Sequence, residues 1–310
     1  VLRTLLRCMG QTVLQCNALT GACVLAALAL CDLRLACAAI IGALAAHVCA
    51  VIGHYDPIAM RDGLHGFNGV LCALAAVTFV NDTRIALAVA LLSAIAATCL
   101  AAPWSRLLST RGLAVYSSPC LVVTWCWLLL RAGARMPADH ASASNASASL
   151  GPLYTQALRI RFPLDAAFGV GHLVRPPSPI GNVLASAAQT VFASGAWPGL
   201  LIVVGIALAS RRAALHTLAG AAVSSAVAWT CGAPLGALHT GMAGFNGALA
   251  ALALCDRGPV ATLAAAMLSA LLYQAVAHMG WPAMSAPFVV AAWCVHACMR
   301  AFDRQRPFAH

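Results

Sequence analysis

Lysine and glutamate are missing from this 310-residue chain: all 18 basic residues are Arg and all eight acidic residues are Asp. Charged residues make up only 8% of the sequence, against about 25% in soluble domains. Hydrophobic residues make up 62%, and that much Ala, Leu and Val does not fit one water-surrounded core. A soluble globular protein is excluded. Period-two alternation is missing too, which excludes a membrane barrel and leaves membrane-spanning helices. The 14 cysteines include no CxxC pair, and Cys23, Cys37, Cys49, Cys72 and Cys99 lie inside apolar runs. There they read as small packing residues compatible with lipid. His47 and His54, seven apart, read as a packed helix end rather than a metal site, so no metal or other cofactor is expected. Neither GxSxG nor HExxH occurs, nor a plausible intramembrane carboxylate pair, so no enzyme is expected. The NPA motif of aquaporin-type channels is absent as well. The net charge of +10 does not point to nucleic acid, because the arginines are mostly scattered as caps between apolar runs, where they anchor membrane flanks. No cleavable leader pattern is visible.

What is present is a duplication. "QTVLQCNALTGACVLAALAL" from Gln11 aligns with "QTVFASGAWPGLLIVVGIAL" from Gln189, and "GFNG" occurs at Gly66–Gly69 and again at Gly244–Gly247. Both pairs are separated by 178 residues (189 − 11 and 245 − 67). A third pair, "SSPCLVVTW" from Ser117 and "SAPFVVAAW" from Ser285, is separated by 168 (285 − 117). Three motifs repeated in one order predict two homologous halves. The expected organisation is a first transmembrane repeat over 1–131, an extramembrane connector over 132–180 containing the low-complexity "ADHASASNASAS", and a second transmembrane repeat over 181–310.

The runs after the motifs are too short to cross a bilayer, which takes about 20 apolar residues. Val70–Val80 and Asn246–Cys255 stop at Asp-Arg clusters, and Pro119–Leu130 and Pro287–Met299 stop at Arg131 and Arg300. These four segments are expected to be half-helices starting near the bilayer midplane, where free backbone N–H groups are tolerated only when buried in protein or facing a watery cavity. The glycines of GFNG allow the entry turn, and Asn68 and Asn246 are expected as N-caps. The fold class that follows is all-α integral membrane. It is an inverted repeat of two five-helix halves, each with a reentrant element (near Gln11 and Gln189) and half-spanning helices around a central pore. Ten spans put both termini on one side, and Arg3, Arg7, Arg300, Arg304 and Arg306 mark that side as cytoplasmic.

"MGQTVLQCNALTG", "GLHGFNGVLCALA" and "SPCLVVTW", with their partial second copies, resemble the urea transporter (urea channel) family, in its bacterial form. The resemblance covers nearly the whole chain except the connector. It implies one pore per protomer between the two halves, a homotrimer, a multi-pass location in a bacterial inner membrane, and urea as permeant. Carried over, the outer slot is formed by Phe67 and Leu71, with Leu14 facing Phe67 and Ser117 beside them. The inner slot is formed by Phe245 and Leu249, with Ser285 beside them and Phe192 or Ala193 opposite. Gln11 and Gln189 stand near the reentrant elements. Leu14 holds a position often aromatic in the family, and the serines stand where Thr is common.

The expected function is passive, channel-type transport of urea or small neutral amides, in which flat apolar slots pass the planar solute and edge oxygens accept its N–H groups. The alternative is an ion-coupled secondary transporter, which usually keeps an intramembrane charge. Here the motif segments contain no Asp, Glu, Lys or Arg.

Overall fold

The computed structural model describes residues 1–133 and 178–305, so most of the expected connector lies outside the described residues. In the first half, α1 spans Leu2–Gln11, α2 Ala18–Cys31, α3 Leu33–Ile52, α4 Pro57–Arg61, α5 Phe67–Phe79, α6 Thr83–Ser109 and α7 Ser118–Gly133. In the second half, α8 spans Ser178–Gln189, α9 Ala196–Ala209, α10 Arg211–Thr230, α11 Leu235–His239, α12 Phe245–Ala253, α13 Pro259–His278 and α14 Ala286–Gln305. The second list repeats the first in order. The starts of α2, α3, α4 and α5 recur 178 residues later in α9, α10, α11 and α12 (196 − 18, 211 − 33, 235 − 57 and 245 − 67).

The long helices are packed inside out. α3 buries Ala36, Ala39, Gly42, Ala43, Ala46 and Ala50 and exposes Ile40, Leu44, Val48, Val51 and Ile52. α6 buries Ala90, Ala94 and Ala97 and exposes Leu87, Leu91, Leu92 and Ile95. Small residues inside and branched apolar residues outside is the arrangement of helices bathed in lipid. Among the described residues, α3, α6 and α13 are long and apolar enough to cross a membrane, and α2, α5, α7, α9 and α14 are shorter apolar helices. The chain is a multi-pass membrane protein.

α5 lies between α3 and α6, and α12 lies in the same way between α10 and α13. The close approach depends on glycine at two crossings. A Cβ on Gly42 would stand 2.5 Å from the carbonyl oxygen of Gly69, and a Cβ on Gly220 2.3 Å from that of Gly247. The two halves meet where α2 packs on α9, with the Thr20 hydroxyl donating to Gly205 O at 2.7 Å, and where α7 meets α14.

Two local expectations are corrected. Asn68 and Asn246 are not N-caps of their own helices: Gly66 and Gly244 hold those positions, with no side-chain cap. Each asparagine sits at the second helical residue and reaches another helix instead. Asn68 Oδ1 accepts from the backbone N–H of Cys120 at 3.2 Å and its Nδ2 donates to Tyr116 O at 3.3 Å. Asn246 does the same with Phe288 N at 3.0 Å and Met284 O at 3.1 Å. The free donors of α7 and α14 are thereby met from across the bundle.

Near Gln11 and Gln189, where a short reentrant element is expected, α1 and α8 end and each runs into a tight turn containing Leu14 (φ 56°) or Phe192 (φ 62°). Finally, neither α7 nor α14 stops at its arginine: α7 runs through Arg131 to Gly133, and α14 through Arg300 to Gln305. Arg300 continues the helix, in keeping with its good helix propensity, while its guanidinium donates to Arg111 O at 3.2 Å.

Candidate functional site

A narrow cavity of about 30 Å³ lies where the repeated motifs converge. That exceeds the roughly 10–15 Å³ needed to hold a single water. Both halves build it from the same parts. The first turns of α5 and α12 supply Phe67 with Leu71 and Phe245 with Leu249, pairs spaced four apart and so on one helix face. The turns after α1 and α8 supply Leu14 and Phe192. Ser117 and Ser285, each just before the first residue of α7 or α14, complete the set.

Nine of the ten residues expected from the sequence therefore line one cavity: Leu14, Phe67, Leu71, Ser117, Gln189, Phe192, Phe245, Leu249 and Ser285. Of the two alternatives for the position opposite Phe245, Phe192 lines the cavity and Ala193 does not. The serines were expected beside separate slots, yet they touch: Ser117 Oγ and Ser285 Oγ are 2.8 Å apart and share a hydrogen bond.

Gln11 is the exception. Its Nε2 donates to Asp62 O at 3.0 Å, beside an Arg7–Asp62 ion pair at 3.3 Å, and it does not line the cavity. In the second half, Thr240 and Ala185 stand at the places of Asp62 and Arg7, so Gln189 has no such anchor. Gln189 is instead 4% exposed; its Nε2 donates to Met242 Sδ at 2.8 Å, and its Oε1 is buried without a hydrogen-bond partner. A buried carbonyl oxygen with no donor is costly, about 1–3 kcal/mol, and it sits in a residue that lines the cavity.

Five further residues line the cavity: Thr12, Cys120, Thr190, Met284 and Phe288. The threonines were legible in principle, since both copies of the motif read Gln-Thr-Val. Their hydroxyls donate to carbonyls three residues back, Thr12 to Met9 and Thr190 to Ala187, which commits the hydroxyl hydrogen and leaves oxygen lone pairs as acceptors. Backbone strain gathers here as well. Leu14, Phe192 and Met284 line the cavity with left-handed φ values of 56°, 62° and 47°, and Tyr116, with φ 47°, stacks edge-on against Phe288 at 5.1 Å between ring centroids. Such non-glycine conformations each cost about 1–3 kcal/mol and collect at functional sites.

The lining contains no Asp, Glu, Lys, Arg or His. Its polar atoms are hydroxyls and one carboxamide, and its walls are aromatic and aliphatic. The arrangement accepts hydrogen bonds from a small neutral solute and offers nothing that neutralises an ion. Among the described residues, no group of three His, Cys, Asp or Glu is placed to hold a metal.

The family model described as Urea transporter matches residues 2–302. The chain belongs to the urea transporter family. Its function is to transport urea across a membrane. Among curated proteins, none matches the chain. With urea as permeant, the chemistry of the lining is intelligible: urea presents four N–H donors and one carbonyl acceptor in a plane, and the cavity of this urea transporter presents acceptors between flat apolar walls.

Proposed function

We propose that urea crosses this protein passively through the cavity, edge-on between Phe67–Leu71 and Phe245–Leu249, handing its N–H groups along a row of oxygens from Thr12, Gln189, Thr190, Ser117 and Ser285. The observation that carries this reading is the 2.8 Å contact between Ser117 and Ser285. Residues at matching places in the two repeats meet at the cavity, which is what a path running through the joint between two related halves requires. A permeant must part this hydroxyl pair and replace their hydrogen bond with its own. Such an exchange is close to neutral in energy, and weak multi-site binding suits a channel.

The same reading takes the halves as an inverted repeat with ten spans, related by a two-fold axis in the membrane plane. The repeats occupy 1–131 and 181–310, joined by the connector 132–180. It places the protein as a homotrimer in a bacterial inner membrane, with transport and not catalysis as its activity. An ion-coupled mechanism finds no support in a lining without ionisable carboxylates or bases. In liposomes, urea should equilibrate down its gradient at a rate independent of sodium, pH gradient and membrane potential. Uphill accumulation driven by any of the three would overturn the passive reading.

A further inference from the structure

Two tryptophans tie each half to the segment that carries the other half's serine. Trp125 on α7 donates its indole Nε1–H to Pro282 O at 3.0 Å, and Trp293 on α14 donates to Ala114 O at 2.7 Å. The donors are 168 residues apart (293 − 125), and so are the acceptors (282 − 114). Each acceptor lies three residues before a serine, Pro282 before Ser285 and Ala114 before Ser117. Each donor lies eight residues beyond its own serine, on the helix that the serine precedes. Every serine is thus held twice: by the start of its own helix, and by an indole reaching from the helix of the opposite half.

The loops being gripped are strained. Tyr116 and Met284, between acceptor and serine in the two loops, both have φ 47°. A left-handed residue in such a place persists only when the surroundings over-determine it. The asparagine bonds to Tyr116 O and Met284 O hold the loops from within each half, and the indole bonds hold them from across the joint. Without the indole bonds, the described ties between these loops and the opposite helices are the serine contact itself, the edge-on packing of Tyr116 against Phe288 and the Arg300 bond to Arg111 O.

We infer that Trp125 and Trp293 are positioning residues that set the separation of Ser117 and Ser285, and through it the size of solute the path admits. Neither tryptophan lines the cavity; both act through the backbone of the opposite half. The inference rests on the reading that the serine pair is a narrow point of the urea path.

The test removes one N–H without changing side-chain shape. Trp125 or Trp293 is replaced by the benzothiophene analogue of tryptophan, and the purified protein is reconstituted in liposomes. Permeabilities to urea and to N-methylurea are then measured by stopped flow in the same preparation. The ratio of N-methylurea to urea does not depend on how much protein folds, so a merely structural role leaves it unmoved. Loosening the serine pair raises the ratio by about threefold to tenfold, the scale of one lost hydrogen bond, at either position, because the two bonds are reciprocal. The same replacement at Trp229, which is 67% exposed, leaves it unchanged. An unchanged ratio at both Trp125 and Trp293 overturns the inference. Ser117→Ala, measured alongside, separates the two failures: if it slows urea while the indole replacements do nothing, only the positioning role falls, and if it also does nothing, the path itself is misplaced.

Discussion

Asn246 and Phe288, 42 residues apart in sequence, are joined by a buried hydrogen bond of 3.0 Å from the backbone N–H of Phe288 to the carboxamide oxygen of Asn246. The first half repeats it between Asn68 and Cys120 at 3.2 Å. One side chain thus closes the free end of a second helix deep in the bundle while standing inside the first turn of its own. Removing it strands a donor and an acceptor that are both buried in the bundle. Asn246→Ala should therefore lower stability by about 2–5 kcal/mol, two unmet groups at the usual cost, read as a fall of several degrees in the thermal transition of detergent-solubilised protein. A transition at the parental temperature would contradict this account.

Ser117→Ala removes a hydroxyl and adds no volume. It leaves Ser285 facing a methyl group and takes one acceptor from the row. The barrier to urea should rise by about 1–2 kcal/mol, or roughly tenfold in rate, in stopped-flow measurements on liposomes. Parental flux per folded protein would remove Ser117 from the path.

The two glutamines should separate. Gln189→Leu removes the buried, partnerless Oε1 and should slow urea by about fivefold to tenfold with little loss of stability, since the native oxygen is itself unsatisfied. Gln11→Leu breaks the bond to Asp62 O and should cost about 1 kcal/mol of stability without changing the preference for urea over N-methylurea. Equal flux effects at both positions would mean that the repeats use their glutamines alike, against the geometry.

At the helix crossings, Gly247→Ala places a methyl group 2.3 Å from Ser224 Cβ and 2.5 Å from Gly220 O. Helices α10 and α12 must part to admit it, at a cost of about 1–3 kcal/mol or more. The measurement is the yield and thermal transition of the purified variant. Gly236→Ala, where a Cβ would meet nothing within 4 Å, serves as the comparison and should behave like the parent.

The repeat was legible because it is written in spacing, and most of the cavity because the motifs that carry it resemble those of the urea transporter family. A constant separation of Gln from Gln and Phe from Phe survives any uncertainty about helix ends, and it pairs Phe67 with Phe245; the serines pair through the third motif, at 168 (285 − 117). What spacing does not carry is the partner of a polar side chain. Asn68 looks like a cap because it stands beside a helix start, but its bonds run to Tyr116 and Cys120, 48 and 52 residues away. Gln11 looks equivalent to Gln189 until Arg7 and Asp62, which have no counterparts in the second half, draw it aside. Thr12 and Thr190 were present in both motif copies but are unremarkable residues until a cavity is seen beside them. A charge at the end of an apolar run looks like a stop, but Arg131 and Arg300 each carry their helix onward.

The small-inside, large-outside packing of α3 and α6 also decides which experiments can see their core. Alanine scanning works by deletion, and along these helices there is little to delete: Ala36, Ala39, Ala43 and Ala46 on α3, and Ala90, Ala94 and Ala97 on α6, are already alanine. Such a scan reports mainly on Ile40, Leu44, Leu91 and Leu92, the exposed outward residues, and it maps the rim while passing over the joint. In this molecule the tolerance of a site is measured by addition. Leucine introduced one position at a time along the alanine lines would trace the contact surfaces that truncation leaves dark, and variation among related chains at those positions should run between residues no larger than serine or cysteine.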